Sequence, residues 1–445
     1  MSSTDHAPIA PPTIGRGLAP NARQWMHHRK LEQIADLVSI SLPRGGRVVV
    51  VSDLHLAGTA TPASSRATDE LIEVLRTWTG PGAFVIAGDG FEQLHEPVAT
   101  IDEILDAHRR WTEAVAAFAR GTDRHVVVLS GNHDGNLAWD ADVGRALRQR
   151  LGADHLGLEL DLEFDTAEGT RTVHVVHCNQ WDPYNACVDR RSPVDTPTGH
   201  HVVREILPRL DSATHPGGLL EGLDSLAEVP LVGEMVGSRL LYRRAGRHAW
   251  LLIVPVIVLA LARLVREVVP DWTAPEATFE TWLWRALLLS FGALAVAVLA
   301  TTVAMVGVHR SLSREVGPGL GSHNDTARAH ARRLVDDGAA GLVSGHTHHP
   351  ELSPLGASGF YANSGCGVDV TGPRPARLRL PRAFTTVRRA SRVELTGTDR
   401  LRVVLIAGDE PVPSPSLLER LVARPDMTTP RAPEVIATVP EGDGM

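Results

Sequence analysis

The chain has 445 residues, 43% of them hydrophobic and 22% charged, with a formal charge of −8. That length holds one large domain with an insertion, or two domains, and the acidic balance argues against a broad nucleic-acid-binding surface. Cys178, Cys187 and Cys366 are few and odd in number, so no disulfide framework is implied; they read as small buried residues in a reducing compartment.

Residues 1–45 read as an N-terminal extension, disordered over its first 20 residues, with no long apolar core behind a basic start to mark a secretory signal. From Gly46 short β-rich runs alternate with helical ones. RVVVVSDL predicts a strand, Ala67 to Trp78 a helix, AFVIAGDG a strand, and Thr100 to Arg120 one longer helix. HVVVLSGNHD is a further strand, followed by a short helix over Val143 to Arg150 and by the strands LGLELDLEF and TRTVHVVHC. After Thr326 a helix to Asp336 leads into GLVSGHTH, and strands continue to about Ile406. Residues 411–445, with PVPSPS and TTPRAPEV, read as a flexible C-terminal tail. This alternation points to an α/β sandwich with a largely buried sheet.

The two halves are separated by something different. Trp250 to Ala262 is continuously apolar, and Ala286 to Val308 carries no charge at all. The second run is long enough to cross a bilayer. The first, with Arg263 and Arg266 at its end, reads equally as a buried core helix when taken alone.

The chemistry lies at the strand ends. In VSDLHL, Asp53 and His55 are two residues apart and point the same way along a strand. GDG (Gly88–Gly90), GNHD (Gly131–Asp134), His177 in VVHCN and GHTH (Gly345–His348) follow other predicted strands. Loops at such ends gather ligands. Together they offer Asp53, His55, Asp89, Asn132, His177, His346 and His348, an oxygen and imidazole set that needs no thiolate. It suits two divalent ions sharing a bridge: manganese first, with iron, zinc or magnesium as alternatives.

The series D-x-H, G-D, G-N-H-D, H, G-H-x-H resembles the calcineurin-like metallophosphoesterase superfamily, over roughly residues 46–205 and 325–408. The resemblance implies a four-layer α/β/β/α sandwich with a dinuclear site. It places Asp53, His55, Asp89 and His348 on the first metal, and Asp89, Asn132, His177 and His346 on the second. His133 is then no ligand; it faces the phosphoryl group and stabilises charge or protonates the leaving oxygen, with Asp134 orienting it. The implied reaction is hydrolysis of a phosphoester or phosphoanhydride by water that the two metals acidify. GDGFE, DLHL and GHTHHP are nearest in style to the UDP-diacylglucosamine pyrophosphohydrolases. That branch has Arg in place of His133 and Gly-Asp in place of Cys178–Asn179, so its substrate is not carried over. Arg190 and Arg191 are candidate donors to a second phosphate, and His200 and His201 candidate pocket residues; as surface and loop residues neither pair needs a role. His349 reads as a neighbour of GHTH without one.

If His177 and His346 share a metal, the chain between them crosses a membrane an even number of times. Two crossings give a transmembrane hairpin at 241–315, inserted between phosphoesterase segments 46–240 and 316–410. Arg239, Arg243, Arg244, Arg247, Arg310 and Arg314 beside it would put the catalytic domain in the cytoplasm, with a connecting loop near Glu267 to Leu283. The reading is a multi-pass membrane enzyme acting on a phosphorylated, lipid-linked substrate. A phosphodiesterase or nucleotidase for soluble nucleotides, and a non-catalytic membrane scaffold, are the alternatives.

Overall fold

The computed structural model describes residues 34–206 except 96–97, scattered positions between 209 and 268, and residues 276–439 except 316–323, 357–358, 378–379, 415 and 425–428. Its first half holds β1 (Ala35–Leu42), β2 (Arg47–Val51), α1 (Pro62–Arg76), β3 (Gly82–Ala87), α2 (Ile101–Ala107), α3 (Arg109–Ala119), β4 (Arg124–Leu129), α4 (Ala141–Leu151), β5 (His155–Thr166) and β6 (Gly169–Val176). The expected N-terminal extension is corrected from Ala35 onward. Val38, Ile40 and Leu42 alternate with exposed neighbours, and the strand they form pairs in parallel with β5. The segment expected to be disordered lies outside the described residues.

Local chemistry explains two further differences. Helix α1 begins at Pro62 rather than Ala67, because Thr61 and Ser64 form a capping box and Pro62 suits the first turn. A cap of this kind is worth about 1 kcal/mol. The single helix expected over Thr100 to Arg120 is broken at His108 (φ −109, ψ 35), whose ring nitrogen lies 3.2 Å from the Ala57 carbonyl.

The insertion contains α5 (Val232–Arg239), a turn of helix at Leu240–Ala245, and α6 (Glu276–Glu315), 40 residues long. Of the first apolar run only Ile257, Ala260 and Leu261 are described; the rest lies outside the described residues. The second run is part of α6. Since that helix starts at Glu276, the connecting loop expected to reach Leu283 ends earlier. Leu283 and Leu287 are buried where α6 packs on α5, while Trp282, Trp284, Leu288, Leu289, Phe291, Val296, Leu299 and Val303 are exposed. Among the described residues no helix is long and apolar enough to cross a membrane; the described side chains of α6 run unbroken only from Thr281 to Ala297.

The second half holds α7 (Asp325–Asp336), β7 (Gly341–Ser344), β8 (Glu351–Leu355), β9 (Gly359–Asn363), β10 (Asp369–Arg374), β11 (Ala383–Gly397), β12 (Leu401–Pro411), α8 (Leu417–Val422) and β13 (Glu434–Val439). The segment from 411 on is therefore not simply a loose tail. Strand β13 pairs with β12, and Glu419 of α8, fully buried, accepts a 2.9 Å hydrogen bond from Arg243.

Strand order is β13-β12-β11-β2-β3-β4-β5-β6-β7-β9-β8, with β1 on β5 and β10 on β11. Strands β2 and β3 and most of β4 are apolar and buried, as parallel strands covered on both faces must be. One face of them, with Val49, Phe84, Ile86 and Val128, packs against α1–α4 through Leu71, Trp111, Phe118 and Leu147. Each such large side chain stabilises the fold by roughly 1.5–3 kcal/mol. The other face, with Val48, Val50, Val85 and Val127, meets Leu162, Val173, Val343, Phe360, Val393 and Leu405, because the sheet folds back on itself. Helix α7 closes the far side over Val176, Leu342 and Tyr361. The layers run helix, sheet, sheet, helix, and the C-terminal ends of β2, β3, β4, β6 and β7 meet at one edge.

Candidate metal centre

Five loops leave those strand ends, and each carries one of the sequence motifs. They are stitched together before any side chain is considered: the amides of Asp53 and His55 donate to the carbonyls of Gly88 and Asp89 at 3.1 Å, and Gly345 N to His177 O at 3.2 Å. The backbone there is strained. Asp53 (φ 51), His55 (43), Asp89 (50), His346 (71) and His348 (59) all sit in the left-handed region, at a cost of order 1–3 kcal/mol each. Such strain persists where it aims side chains. The glycines of the motifs give the loops room: a Cβ on Gly131 would lie 2.1 Å from Asp89 Oδ1, and one on Gly88 2.5 Å from the His177 ring.

The structure brings the seven expected ligands together. Asp53, His55 and His348 present donor atoms within 4.8 Å of one another, as do Asp89, His177 and His346. Asp89 also groups with His55 and His133, so it stands between the two sets. His177 Nδ1 lies 3.0 Å from the Ala87 carbonyl, which leaves Nε2 facing Asp89 Oδ2 at 3.1 Å and Asn132 Oδ1 at 3.2 Å.

The residues fit a divalent cation. Among the described residues His55 Nε2 is buried without a hydrogen-bond partner, and a buried orphan of this kind costs about 1–3 kcal/mol unless something satisfies it; Asp53 Oδ1 beside it is met by His348 Nε2 at 3.3 Å. Burial opposes charge on His177, yet the carboxylates of Asp89 and Asp53 outweigh it and raise the imidazole to about 9. The cluster is thus a negative field calling for positive charge. No thiolate enters it: Cys178 Sγ points at the Gly345 carbonyl, 3.5 Å away, and burial pushes its pKa far above the usual thiol range.

The surroundings of His133 differ from expectation. Its Nδ1 lies 2.8 Å from Glu92 Oε2, and the same oxygen is 2.9 Å from His55 Nδ1. Asp134 instead accepts the amides of Gly131 at 2.7 Å and Gly90 at 2.9 Å, clasping the GNHD loop to the GDG loop. The structure therefore sets Glu92, not Asp134, against His133. Burial and the nearby Asp89 raise Asp134 to about 6. Burial also works against a charged His133, but Asp89 and Glu92 prevail and raise it to about 9. Burial works against a charged Glu92, but the imidazoles of His133 and His55 prevail and hold its carboxyl far below the ordinary range. Glu92 was visible in the quoted GDGFE, three residues beyond Asp89.

Neighbouring residues sort themselves similarly. Arg191 pairs with Asp36 and donates to Ile34 O, which makes it a strut to β1 rather than a phosphate donor. Arg190 donates to Ser130 O at 2.7 Å, under the GNHD loop. His201 pairs with Glu205 at 2.7 Å. His95, which no sequence motif singled out, stacks on His133 with ring centroids 5.9 Å apart.

A buried Asp, His and Asn cluster at the edge of a two-sheet sandwich, with an imidazole held beside it by a carboxylate, is the equipment of a metal-dependent phosphoester hydrolase. Residues 46–212 match the family model described as calcineurin-like phosphoesterase. The match ends well before β7, yet the structure places His346 and His348 in the same cluster as Asp53 and Asp89. No curated protein matches the chain.

Proposed function

We propose that this protein hydrolyses a phosphoester or phosphoanhydride using two divalent ions, the first held by Asp53, His55, Asp89 and His348, the second by Asp89, Asn132, His177 and His346. The observation that carries this reading is the buried His55 Nε2, without a hydrogen-bond partner among the described residues, beside the Asp53 Oδ1–His348 Nε2 pair inside the seven-residue cluster. Ions bound there polarise phosphoryl oxygens and acidify water. The chain's own residues do the rest. Glu92 holds the Nδ1 proton of His133, which leaves Nε2–H of the imidazolium as the donor to the phosphoryl or leaving oxygen. Asp134 keeps the two loops in register.

The substrate we favour is lipid-linked, met at a bilayer surface, with the catalytic domain on the cytoplasmic side. Support comes from α6. Its exposed Trp, Leu, Phe and Val side chains from 282 to 303 spread around more than one stripe of the helix, whereas a helix packed only on protein shows a single apolar face. The test is a set of metal-supplemented hydrolysis assays on the full chain in detergent, against nucleoside-diphosphate lipids, lipid phosphates, soluble nucleotides and a chromogenic phosphodiester. Turnover only of the soluble compounds would remove the lipid reading. Absence of any metal-dependent turnover would remove the dinuclear one.

A further inference from the structure

One carboxylate beside the cluster belongs to none of the five motifs. Asp182 follows the helical turn Asn179–Trp181, and its Oδ2 lies 2.9 Å from His346 Nε2. We propose that Asp182 is a positioning residue for the second metal: it fixes the tautomer and ring orientation of His346 so that Nδ1 presents its lone pair to the ion. This rests on the dinuclear reading above.

Three observations lead there. First, Asp182 is itself rigidly placed. Asn185 Nδ2 donates to Oδ2 at 2.7 Å, and the Tyr184 amide to Oδ1 at 2.9 Å. The loop is then locked from outside, since the Gly199 amide donates to Tyr184 O at 2.7 Å. Second, His346 has little else to hold its ring. Its backbone is strained (φ 71) and its amide is tied to Asp53 Oδ2 at 2.8 Å; among the described residues its imidazole also meets the edge of His177, centroids 5.2 Å apart. Third, the chemistry is specific. A histidine ligand must be neutral at the nitrogen that faces the metal, and a carboxylate on the opposite N–H fixes that choice and raises ligand basicity. With Nε2–H given to Asp182, Nδ1 is the nitrogen left to bind.

The partner also gives the two sets of ligands a shared feature. His55 has Glu92 on its Nδ1, and His346 has Asp182 on its Nε2. One imidazole at each proposed ion is thus clamped by a carboxylate that does not itself belong to the cluster.

The experiment titrates manganese into the metal-stripped full chain and follows it by calorimetry and electron paramagnetic resonance. Wild type is compared with Asp182→Asn, His346→Gln and the double variant. Asp182→Asn should weaken the second manganese about 10–100-fold and leave the first in place, so that stoichiometric metal gives an isolated rather than a spin-coupled signal. In the His346→Gln background the added Asp182→Asn change should then cost nothing further. Wild-type affinity for both ions in Asp182→Asn would overturn the proposal. An equal additional loss in the double variant would overturn it too, because Asp182 would then act independently of His346, as a ligand or a loop support. A wild-type chain that binds no second manganese at all would instead sink the dinuclear reading. Melting temperatures of the metal-free proteins guard against misfolding: a large drop in Asp182→Asn alone, with both ions equally weakened, would mark a purely structural residue.

Discussion

Glu92 bridges two imidazoles with one oxygen, 2.8 Å from His133 Nδ1 and 2.9 Å from His55 Nδ1. Its other oxygen is occupied by the amides of Leu94 and His95, at 2.9 and 2.8 Å. It therefore joins the first proposed metal to the proposed acid. Glu92→Gln should lower kcat by about 10–100-fold and also weaken the first metal by a similar factor, because it removes a charged partner from both rings. Steady-state kinetics with metal titration measures both; a variant with full kcat at saturating metal would confine Glu92 to metal binding.

His133→Ala separates the two effects. The ring contributes no expected ligand atom, so both ions should remain, and turnover should fall by about 10²–10⁴-fold, the usual scale of a proton donor or charge-stabilising group. Elemental analysis that found one ion missing from this variant would make His133 a ligand.

Asp89 is placed to do most damage. It stands between both donor sets, and its Oδ1 also accepts the His133 amide at 2.7 Å. Asp89→Asn should reduce bound metal to one equivalent or less and abolish measurable hydrolysis. Two tightly bound equivalents in this variant would refute the bridging assignment.

A titration away from the cluster offers an independent check on the sandwich. His174 on β6 faces Asp161 across the strand pair at 2.8 Å and Glu159 at 3.4 Å. Burial works against its charge, but the two carboxylates win and raise its pKa above 6.5. A folded-state value above the unfolded one gives stability that is complete below pH 6.5 and fades as pH rises through the folded value. The gap in unfolding midpoint between wild type and His174→Gln should therefore be widest near pH 6 and shrink toward pH 9. A gap that grows with pH would contradict the pairing.

Much of the centre was legible because its motifs are local: D-x-H, GDG, GNHD and GHTH each put a donor at the end of an apolar strand, and glycines mark where loops pass close. What escaped was set by distance. Nothing in NQWDPYN announces that Asp182 meets His346, 164 positions away, and the identity of the residue facing His133 depends on how two loops cross. Asp134 is adjacent in sequence, yet its carboxylate is consumed by backbone amides. The same holds at the chain's ends. Strand β1 and helix α8 look like parts of loose segments until β5 and Arg243 are brought to them.

The charge count used to orient the insertion needs similar correction, and this shapes the last prediction. Arg239 is buried with its guanidinium on the Glu221 carbonyl, and Arg243 is buried between Glu221 and Glu419. Neither is free to mark a lipid interface. Chain geometry gives a firmer constraint: the His177 and His346 rings lie 5.2 Å apart, on opposite sides of the insertion in sequence. Any membrane crossing between them must come in pairs, so the proposed topology is two spans or none. With two, a cysteine at Thr273 should react with an impermeant thiol reagent in intact cells, while one at Arg400, exposed in the catalytic domain, should react only after lysis. Reaction at Arg400 alone in intact cells would invert the proposed orientation. Protection of both until lysis, together with release of the protein by high salt or carbonate, would mean that α6 covers its apolar side chains with protein or lies along the surface, and the lipid-facing reading would be withdrawn.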